Sequence, residues 1–348
     1  MNNLENRLSE HFQKEFCCFT GSGTTSIYLI LKSLNLQHKK ILYPAITCMA
    51  PVNAAIYAGY EPIFCDVNLD NYTMDINSLK NIIQTGDIGI IVPTHIYGHR
   101  CNMKIINDIA KKNNIFVLED AAQSYYFEEA DAAIISFGHT KIFQCEGGGG
   151  AVFTNDEKLY DNIVKCKREL PKRPSNIDIL FDLYREDYYN IIKKYKDDDM
   201  YYYMRKLQLD NEKTFIYDLP YNANLFKVLD NAENIINERI KRRKIYDKYL
   251  NKNYIDLPLI DEYEGLWRYT FLYKGNREKL LKNIREKGVD ISSWYINLKK
   301  IYKDTKCCLK NAEEVENCVV NLWLDERNSI EFIKRDADFI SLIMNEIQ

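Results

Sequence analysis

Residues 117–123 (VLEDAAQ) and residues 136–141 (SFGHTK) decide the fold class of this chain. An apolar run of strand length leads into each stretch, and polar side chains follow where the strand ends. These are Asp120 in the first stretch, and Ser136 and Lys141 in the second. Because parallel strands bring their carboxyl ends to one edge of a sheet, an acid, a hydroxyl and an amine would meet there. We therefore predict an α/β fold with a functional site at that edge.

Strand-length and helical segments alternate through the first 155 residues. Apolar runs of strand length occur at 16–19, 41–43, 61–67, 88–92, 115–118, 132–137 and 151–154. Helical periodicity occurs at 24–36, 47–58, 75–83 and 103–112. This alternation predicts a mostly parallel sheet with helices on both faces.

The second half of the chain differs from the first in composition and in the order of its predicted elements. A charged, tyrosine-rich helical region fills 156–215, and 222–250 predicts one long amphipathic helix. The tail predicts strands at 269–273, 289–292 and 319–322, with helices at 277–287 and 330–347. This tail is too short and mixed for a second doubly wound sheet. We predict a large domain over 1–230, with a helical insert at about 170–215, and a smaller α+β domain over 231–348.

Composition argues against several classes of protein. The 348 residues carry a net charge of −3 with both signs interspersed, so we expect no nucleic-acid binding. Apolar runs are too short for a transmembrane helix, and the polar N-terminus predicts no secretory signal. The ten cysteines include the vicinal pairs Cys17-Cys18 and Cys307-Cys308 but no Cys-x-x-Cys pair. We expect reduced thiols, no metal site and a cytoplasmic protein.

A glycine-serine turn at 21–26 (GSGTTS) follows the first predicted strand and opens a helix. The free N–H groups at the helix start, at Gly23 and Thr24, form an anion site suited to a phosphate. Taken alone, the turn is more simply explained as an ordinary turn with an N-cap.

Three other side chains have a chemical and a structural interpretation. Asp120 would be costly to bury without a cationic partner, yet it could simply cap a following helix. Gln123 could contact a ligand or cap the same helix. Lys141 stands in a segment with no other charge until Glu146, which favours a depressed pKa, although most lysines after strands are only solvated.

The joint occurrence of these residues favours one cofactor. Pyridoxal 5'-phosphate (PLP) needs a lysine for its Schiff base, an acid at its pyridine nitrogen and polar groups at its phosphate. Lys141, Asp120, Ser136 and the turn at 21–26 occur in the order that such a site requires. The sequence therefore predicts a PLP enzyme.

The sequence also resembles the DegT/DnrJ/StrS sugar aminotransferases, which have the fold type I architecture of PLP enzymes. The motifs that carry the resemblance are Ser22-Gly23-Thr24, Tyr43-Pro44-x-x-Thr47, Ala58-Gly59-Tyr60-Glu61-Pro62, Pro93-Thr94-His95-Ile96-Tyr97-Gly98, Glu119-Asp120-Ala121-Ala122-Gln123 and Ser136-Phe137 with Lys141. Tyr221-Asn222 and the stretch from Val289 to Tyr295 match more loosely. The N-terminal motifs are specific as a set.

The resemblance implies a role for each matching residue. Lys141 would be the Schiff-base lysine and Asp120 the partner of the pyridinium, with Gln123 near the ring hydroxyl. Ser136 and the backbone of Gly23 and Thr24 would bind the phosphate. Asn222 of a neighbouring subunit would join them, which implies a homodimer with shared sites.

The resemblance also implies a reaction. Members transfer an amino group, usually from glutamate, to the keto carbon of a nucleotide-linked sugar in amino-sugar and polysaccharide biosynthesis. We expect a nucleotide-linked 4-keto-6-deoxyhexose as the acceptor here. The alternatives are a PLP enzyme of the same fold that acts on a cyclitol ketone or dehydrates a sugar, and a non-catalytic binding protein.

Three features depart from the family pattern. Cys48 stands where the family usually has an aromatic residue stacked on the PLP ring, and Asn224 stands where it has an arginine. The insert at 170–215 is longer than the family pattern, and its tyrosines could either line the nucleotide side of the cleft or pack as a cover. Packing is the expectation, because most aromatic residues at helical spacing are buried.

Overall fold

A seven-stranded sheet forms the centre of the chain in a computed structural model, which describes residues 1–84, 86–302 and 309–347. Its strands are β1 (Phe16–Thr20), β2 (Lys40–Pro44), β3 (Glu61–Cys65), β4 (Ile88–Ile91), β5 (Phe116–Asp120), β6 (Ala132–Ser136) and β7 (Gly150–Thr154). Their order across the sheet is β1-β7-β6-β5-β4-β2-β3. Every strand predicted for this half is confirmed, with each end within two residues of the prediction.

The sheet is parallel except at one strand. β2 pairs in parallel with β3 and β4, and β4–β5 and β5–β6 are also parallel. β7 is antiparallel to both β1 and β6. The carboxyl ends of β1, β2, β4, β5 and β6 and the first residue of β7 therefore share one edge, which confirms the mostly parallel sheet and the predicted meeting of polar groups.

Helices cover both faces of this sheet. They are α1 (Asn3–Phe12), α2 (Gly23–Ser33), α3 (Met49–Tyr57), α4 (Ile76–Ile83), α5 (Met103–Asn113) and α6 (Glu157–Lys167). α4 and α5 bury Leu79, Ile82 and Ile106 in a core separate from the main one. α1 was not predicted, although Asn2 and Glu5 form a capping box at its start, a signal that the sequence does contain.

The insert consists of two helices, α7 (Ile177–Lys194) and α8 (Asp197–Asn211), followed by a 3₁₀ turn at Glu212–Phe215. α8 lies against α3, where the buried amides of Asn53 and Gln208 form a hydrogen bond of 3.0 Å. On α7, Tyr188 is buried and stacks on Trp294 with ring centroids 5.7 Å apart. The insert is therefore packed on the body of the chain by polar and aromatic contacts.

The prediction of one helix over 222–250 is wrong. The structure has α9 (Asn224–Asp230) and α10 (Ala232–Tyr249), separated at Asn231, whose φ of −103° and ψ of 7° are not helical. Asparagine competes with the helix by local hydrogen bonding, so Asp230-Asn231 is a weak point in the pattern. The arginines of α10 are buried, and Arg239 donates to the carbonyls of Leu266 and Trp267 at 3.2 and 3.1 Å.

A second, antiparallel sheet lies in the C-terminal part. Its strands are β8 (Ile255–Asp256), β9 (Arg268–Tyr273), β10 (Ile291–Ser292) and β11 (Val319–Trp323), in the order β10-β11-β9-β8. The accompanying helices are α11 (Arg277–Arg285), α12 (Leu298–Tyr302), α13 (Lys310–Cys318) and α14 (Ile330–Glu346). The sheet has its own core with α14, whereas Leu298 and Ile301 of α12 return to the main core. The division at residue 230 stays a prediction.

The eight cysteines in the described ranges form no disulfide with one another, and Cys307 and Cys308 lie outside the described residues. Among the described helices, none combines the length and the apolar character needed to cross a membrane.

Candidate active site

The start of α2 lies against the end of β6. Ser22 caps the helix by accepting a hydrogen bond from the N–H of Thr25 at 3.0 Å. A Cβ built on Gly23 would lie only 3.0 Å from Cβ of Ser136 and 3.2 Å from its Oγ. Gly150 lies so close to the carbonyl of Ser22 that a side chain at position 150 would not fit. The glycines thus bring the helix start, the Ser136 hydroxyl and the first residue of β7 into one cradle.

Asp120 is the last residue of β5 and is buried. One carboxylate oxygen accepts a hydrogen bond from the N–H of Ala122 at 3.0 Å. Burial raises the pKa of Asp120, and this N–H, the charge of Lys141 and that of His95 oppose the rise. Residues 121–131 form turns, so there is no helix directly after β5 for Asp120 to cap.

Lys141 lies in the turn after β6, where its N–H donates to the carbonyl of Gly138 at 3.2 Å. Burial lowers the pKa of Lys141, while Cys48 and Asp120 offset part of that change. Its Nζ lies 5.4 Å from the centroid of the Trp267 ring, and the indole N–H of Trp267 donates to the carbonyl of Thr140. The structure therefore places the amine and the Asp120 carboxylate within electrostatic reach of each other.

Gln123 connects two aromatic residues at the side of the site. Its amide oxygen accepts from the N–H of Tyr97 at 2.8 Å, and its amide nitrogen donates to the hydroxyl of Tyr295 at 3.0 Å. It caps no helix. Its contact with a ring hydroxyl of a cofactor stays a prediction.

Cys48 is the N-cap residue of α3 and lies within electrostatic reach of both Lys141 and Tyr295. Large rings instead come from elsewhere in the chain. Tyr295 stacks on Tyr97 at 5.9 Å and on Trp267 at 6.4 Å between centroids. The aromatic surface beside Lys141 is thus supplied by residues remote from Cys48 in sequence.

Asn222 has contacts within its own chain. Its amide nitrogen donates to the carbonyls of Glu146 and Gly148, each at 2.9 Å, and its oxygen accepts from the N–H of Asn224 at 3.1 Å. The residue is buried against the glycine run that follows Lys141. The predicted contact with a phosphate in a neighbouring subunit stays a prediction.

A cavity of about 810 Å³ opens beside these residues. The side nearest the sheet is lined by Gly21, Ser22, Thr24, Lys141 and the glycine run 147–149. The opposite side is lined by the insert, including Phe181, Tyr184 and Arg185 of α7 and Phe215. The insert therefore both packs on the body, through Tyr188, and lines the cleft.

Sequence reasoning missed Trp267 and Arg268 and found Tyr295 only as part of a loose match. Trp267 and Arg268 lie at the start of β9, where a cation opens an otherwise apolar strand, Arg268–Tyr273. A charged residue at the start of this strand is the one signal that the sequence offers, and it does not show which part of the fold Arg268 faces.

Comparison with known proteins shows what the N-terminal half of the chain is similar to. Residues 1–172 match the sequence profile of the DegT/DnrJ/EryC1/StrS aminotransferase family. A GDP-perosamine synthase of Escherichia coli O157:H7 is 31% identical over 172 residues, 47% of this chain and 47% of that protein. A dTDP-4-amino-4,6-dideoxy-D-glucose transaminase of Shigella dysenteriae is 27% identical over 185 residues, 51% of this chain and 50% of that protein. The matched part spans about half the length of these curated relatives.

The fold similarity extends over the whole chain. The crystal structure of NtdA from Bacillus subtilis, which contains the cofactor PMP, superimposes with a TM-score of 0.73 at 21% identity. The match covers 99% of this chain and 75% of that one. The fold is therefore that of the fold type I PLP aminotransferases, as predicted. The part of the chain that is similar to the DegT/DnrJ/EryC1/StrS aminotransferase family is therefore residues 1–172.

Proposed function

We propose that the protein is a PLP-dependent aminotransferase. It would transfer an amino group from an amino acid, with glutamate as the expected donor, to the keto carbon of a nucleotide-linked 4-keto-6-deoxyhexose. The observation that carries this proposal is that the Lys141 amine lies within electrostatic reach of the buried Asp120 carboxylate, at the edge that also presents the start of α2.

The residues present fit PLP. The cradle of Gly23, Ser136 and Gly150 excludes side chains and exposes helix N–H groups, as a phosphate site requires. Asp120 supplies a buried acid for the pyridinium, since a buried carboxylate needs a cationic partner. The hydroxyls of Thr47 and Thr94, three residues beyond the ends of β2 and β4, are buried with no hydrogen-bond partner in the described part of the chain. Polar groups at the site thus remain available to a ligand.

Each group of the chain would have a defined task. When bound, PLP supplies an electron sink for the carbon that loses its proton. Asp120 would keep the pyridine nitrogen protonated. Nζ of Lys141 would hold the cofactor and then, once released, take the proton from the α-carbon of the donor, a task that a lowered pKa favours. Tyr295 and Trp267 would cover that amine and restrict the entry of water.

The cavity beside Lys141 supports a nucleotide-linked acceptor. Phe181 and Tyr184 stack at 6.3 Å, and the guanidinium of Arg185 lies 5.9 Å from the Phe181 centroid. Phe181 is 40% exposed and lines the cavity, so part of its ring is accessible to a nucleobase. The guanidinium of Arg185 suits a diphosphate. The names of both curated relatives contain a nucleotide or an amino sugar, which supports the same class of acceptor.

The proposal includes the assembly and the compartment. We infer a homodimer in which Asn222 of one subunit completes the phosphate site of the other, and a cytoplasmic enzyme with reduced cysteines.

The test combines covalent labelling with a panel of acceptors. After loading with PLP and reduction with borohydride, the mass of the cofactor should lie on the peptide that contains Lys141, and Lys141→Ala should carry none. Lys158→Ala, which removes an exposed lysine of α6, is the matched control. L-glutamate should bleach the cofactor absorbance, and a nucleotide-linked 4-keto-6-deoxyhexose should restore it.

Three outcomes would contradict the proposal. A label on another lysine would remove Lys141 from its role. Restoration by an unlinked cyclitol ketone but not by the nucleotide sugar, with no inhibition by free nucleoside diphosphate, would favour the cyclitol alternative. Release of water and a deoxy sugar without amino transfer would favour the dehydratase.

A further inference from the structure

His95 and Glu119 form a fully buried pair next to Asp120. Nε2 of His95 lies 2.7 Å from Oε1 of Glu119, and both residues are 0% exposed. Nδ1 of His95 accepts a hydrogen bond from the N–H of Cys101 at 3.2 Å, so Nε2 is the nitrogen that donates to Glu119. Because side chains alternate along a strand, Glu119 points to the opposite face of β5 from Asp120. The pair does not line the cavity.

The pair joins β5 to the segments on either side of its carboxyl end. Oε1 of Glu119 also accepts from the N–H of Glu128 at 2.8 Å, which closes the turns that follow β5. The backbone N–H of His95 donates to the carbonyl of Asp120 at 3.0 Å. The end of β5 is therefore tied to the segment after β4 and to the turns at 121–128 through one histidine and one carboxylate oxygen.

Those two segments carry groups that belong to the candidate site. The turns after β5 include Ala122, whose N–H donates to the Asp120 carboxylate at 3.0 Å, and Gln123. The segment after β4 includes Tyr97, whose N–H donates to the side chain of Gln123 at 2.8 Å. A shift of either segment relative to β5 would therefore move the Asp120 carboxylate or the Gln123 amide.

A purely structural role is the simpler explanation of the pair, and the second oxygen of Glu119 argues against it. This Oε2 is buried and has no hydrogen-bond partner in the part of the chain that the structure describes. A buried, half-satisfied carboxylate is a poor source of stability compared with an apolar side chain of similar volume. Glu5, in contrast, uses both oxygens, which accept from the N–H groups of Asn2 at 2.8 Å and Phe19 at 2.9 Å.

We propose that the His95–Glu119 pair positions Asp120 for its contact with the pyridine nitrogen of the cofactor. This inference rests on the proposed function. Both residues act through the backbone of β5 and its neighbouring segments, so they are positioning residues. Because both hydrogen bonds of Glu119 are accepted by Oε1, an uncharged acceptor in the same place should serve equally well.

The pyridine nitrogen gives a readout that needs no turnover. When the protein is loaded with PLP that carries ¹⁵N at this position, magnetic resonance distinguishes the protonated ring from the unprotonated one. Glu119→Ala should move the signal toward the unprotonated ring, because a displaced Asp120 no longer holds the proton. Glu119→Gln keeps the acceptor oxygen and should leave the signal in place.

Turnover gives the same contrast. The half-reaction with L-glutamate should slow about 10- to 100-fold in Glu119→Ala, as is typical when a group that orients a functional residue is removed, and less than about threefold in Glu119→Gln. Glu5→Ala is the matched control, since it also removes a buried carboxylate that holds two backbone N–H groups. It should lower stability without changing the ¹⁵N signal or the half-reaction.

Two substitutions of His95 separate its two hydrogen bonds. Glutamine can donate to Glu119 from about the place of Nε2, whereas asparagine can accept from Cys101 at about the place of Nδ1. His95→Gln should keep most of the turnover, and His95→Asn should lose about 10-fold, because the link to Glu119 carries the effect. If Glu119→Ala does not fold, His95→Asn breaks the same link and should show the same change of the ¹⁵N signal.

Hydrogen exchange of the cofactor-free protein adds a measurement that does not depend on PLP. The amides of Ala122 and Glu128 should exchange faster in Glu119→Ala than in the unaltered protein, and Glu119→Gln and Glu5→Ala should leave them unchanged.

The inference is overturned if Glu119→Ala and His95→Asn both keep the ¹⁵N signal and a half-reaction within about threefold of the unaltered protein. Equal changes in Glu5→Ala would also overturn it, because a general loosening of the sheet would then be the cause. A loss in Glu119→Gln as large as that in Glu119→Ala would replace positioning by the charge of Glu119. Failure of the proposed function is a different result, since the unaltered protein mixed with PLP would then show no bound cofactor and no reaction with any amino acid.

Discussion

The two ends of the cleft are built in different ways. At the sheet end, the candidate groups Thr24, Asp120, Ser136 and Lys141 each follow a strand or open a helix within the first 141 residues. At the opposite end, the lining comes from the insert, including Phe181 and Tyr184 of α7, and from Phe215. The first end is fixed by backbone geometry that is common to parallel sheets, whereas the second depends on side chains that distant elements bring together. We therefore expect changes at the first end to abolish the chemistry and changes at the second to alter the choice of substrate.

The largest expected effect in this comparison is at Asp120. Removing one partner of a buried ion pair costs about 3–5 kcal/mol. If that interaction supports the reaction, turnover of Asp120→Asn falls about 10²- to 10⁴-fold while the fold is kept. Single-turnover kinetics with L-glutamate would measure it.

Asp131 provides the matched control for Asp120. Its carboxylate accepts from the N–H of Val117 at 2.7 Å, beside β5 but far from the strand's carboxyl end. Asp131→Asn should lower stability by about 1 kcal/mol and leave turnover nearly unchanged. Equal turnover in Asp120→Asn and Asp131→Asn would show that the position of the acid at the strand end does not determine turnover.

Substitution of Asn222 tests whether one chain alone supplies every residue of the site at the sheet end. Lys141→Ala and Asn222→Asp should each be inactive, the latter because a carboxylate would face the carbonyls of Glu146 and Gly148. If Asn222 acts across a dimer, a mixed dimer has one intact site, and complete subunit exchange should restore about one quarter of the activity. Mass spectrometry would establish the exchange. Exchange without recovery would mean that the contacts within the chain describe the role of Asn222.

Phe181 tests the opposite end of the cleft. Loss of one stacking ring costs about 1–3 kcal/mol, so Phe181→Ala should raise the KM for the nucleotide sugar about 10-fold. The half-reaction with L-glutamate should not change. Tyr202→Ala, which removes a 59% exposed ring of α8, should leave both reactions unaltered. A Phe181 variant that slows the glutamate half-reaction instead would place the ring in the chemistry and weaken the contrast between the two ends.

The same contrast explains what the sequence could predict. Strands of the seven-stranded sheet are visible because each is a short apolar run between turns, and the residues after them inherit a known position at the sheet edge. The relation between Lys141 and Arg268 depends on how the C-terminal sheet packs on the large one, and no local pattern encodes that. The sequence pattern does not reveal the break at Asn231, because the helical periodicity of apolar residues continues across it. The pair Asp230-Asn231 is a local signal against a continuous helix.

Cys48 shows what a comparison of motifs leaves out. A comparison of motifs indicates only that the usual ring is missing there, whereas the structure shows Tyr97, Tyr295 and Trp267 stacked in series beside the amine. Aromatic residues are common enough in this chain that their positions alone could not single out these three.

The smallest expected effect is a shift in a pH profile, and it concerns the charges around Lys141 at the sheet end. Burial lowers the pKa of Lys141 below 10.5, Asp120 opposes the change and Arg268 adds to it. Covalent capture of PLP needs the neutral amine, so its rate should rise with pH to a midpoint below 10.5. Removal of a nearby cation favours the protonated amine, so Arg268→Met should move the midpoint upward. Removal of a nearby anion has the opposite sign, so Asp120→Asn should move it downward. Stopped-flow absorbance after mixing the cofactor-free protein with PLP would give both midpoints, and shifts of the same sign would show that the charge of Arg268 does not reach Lys141.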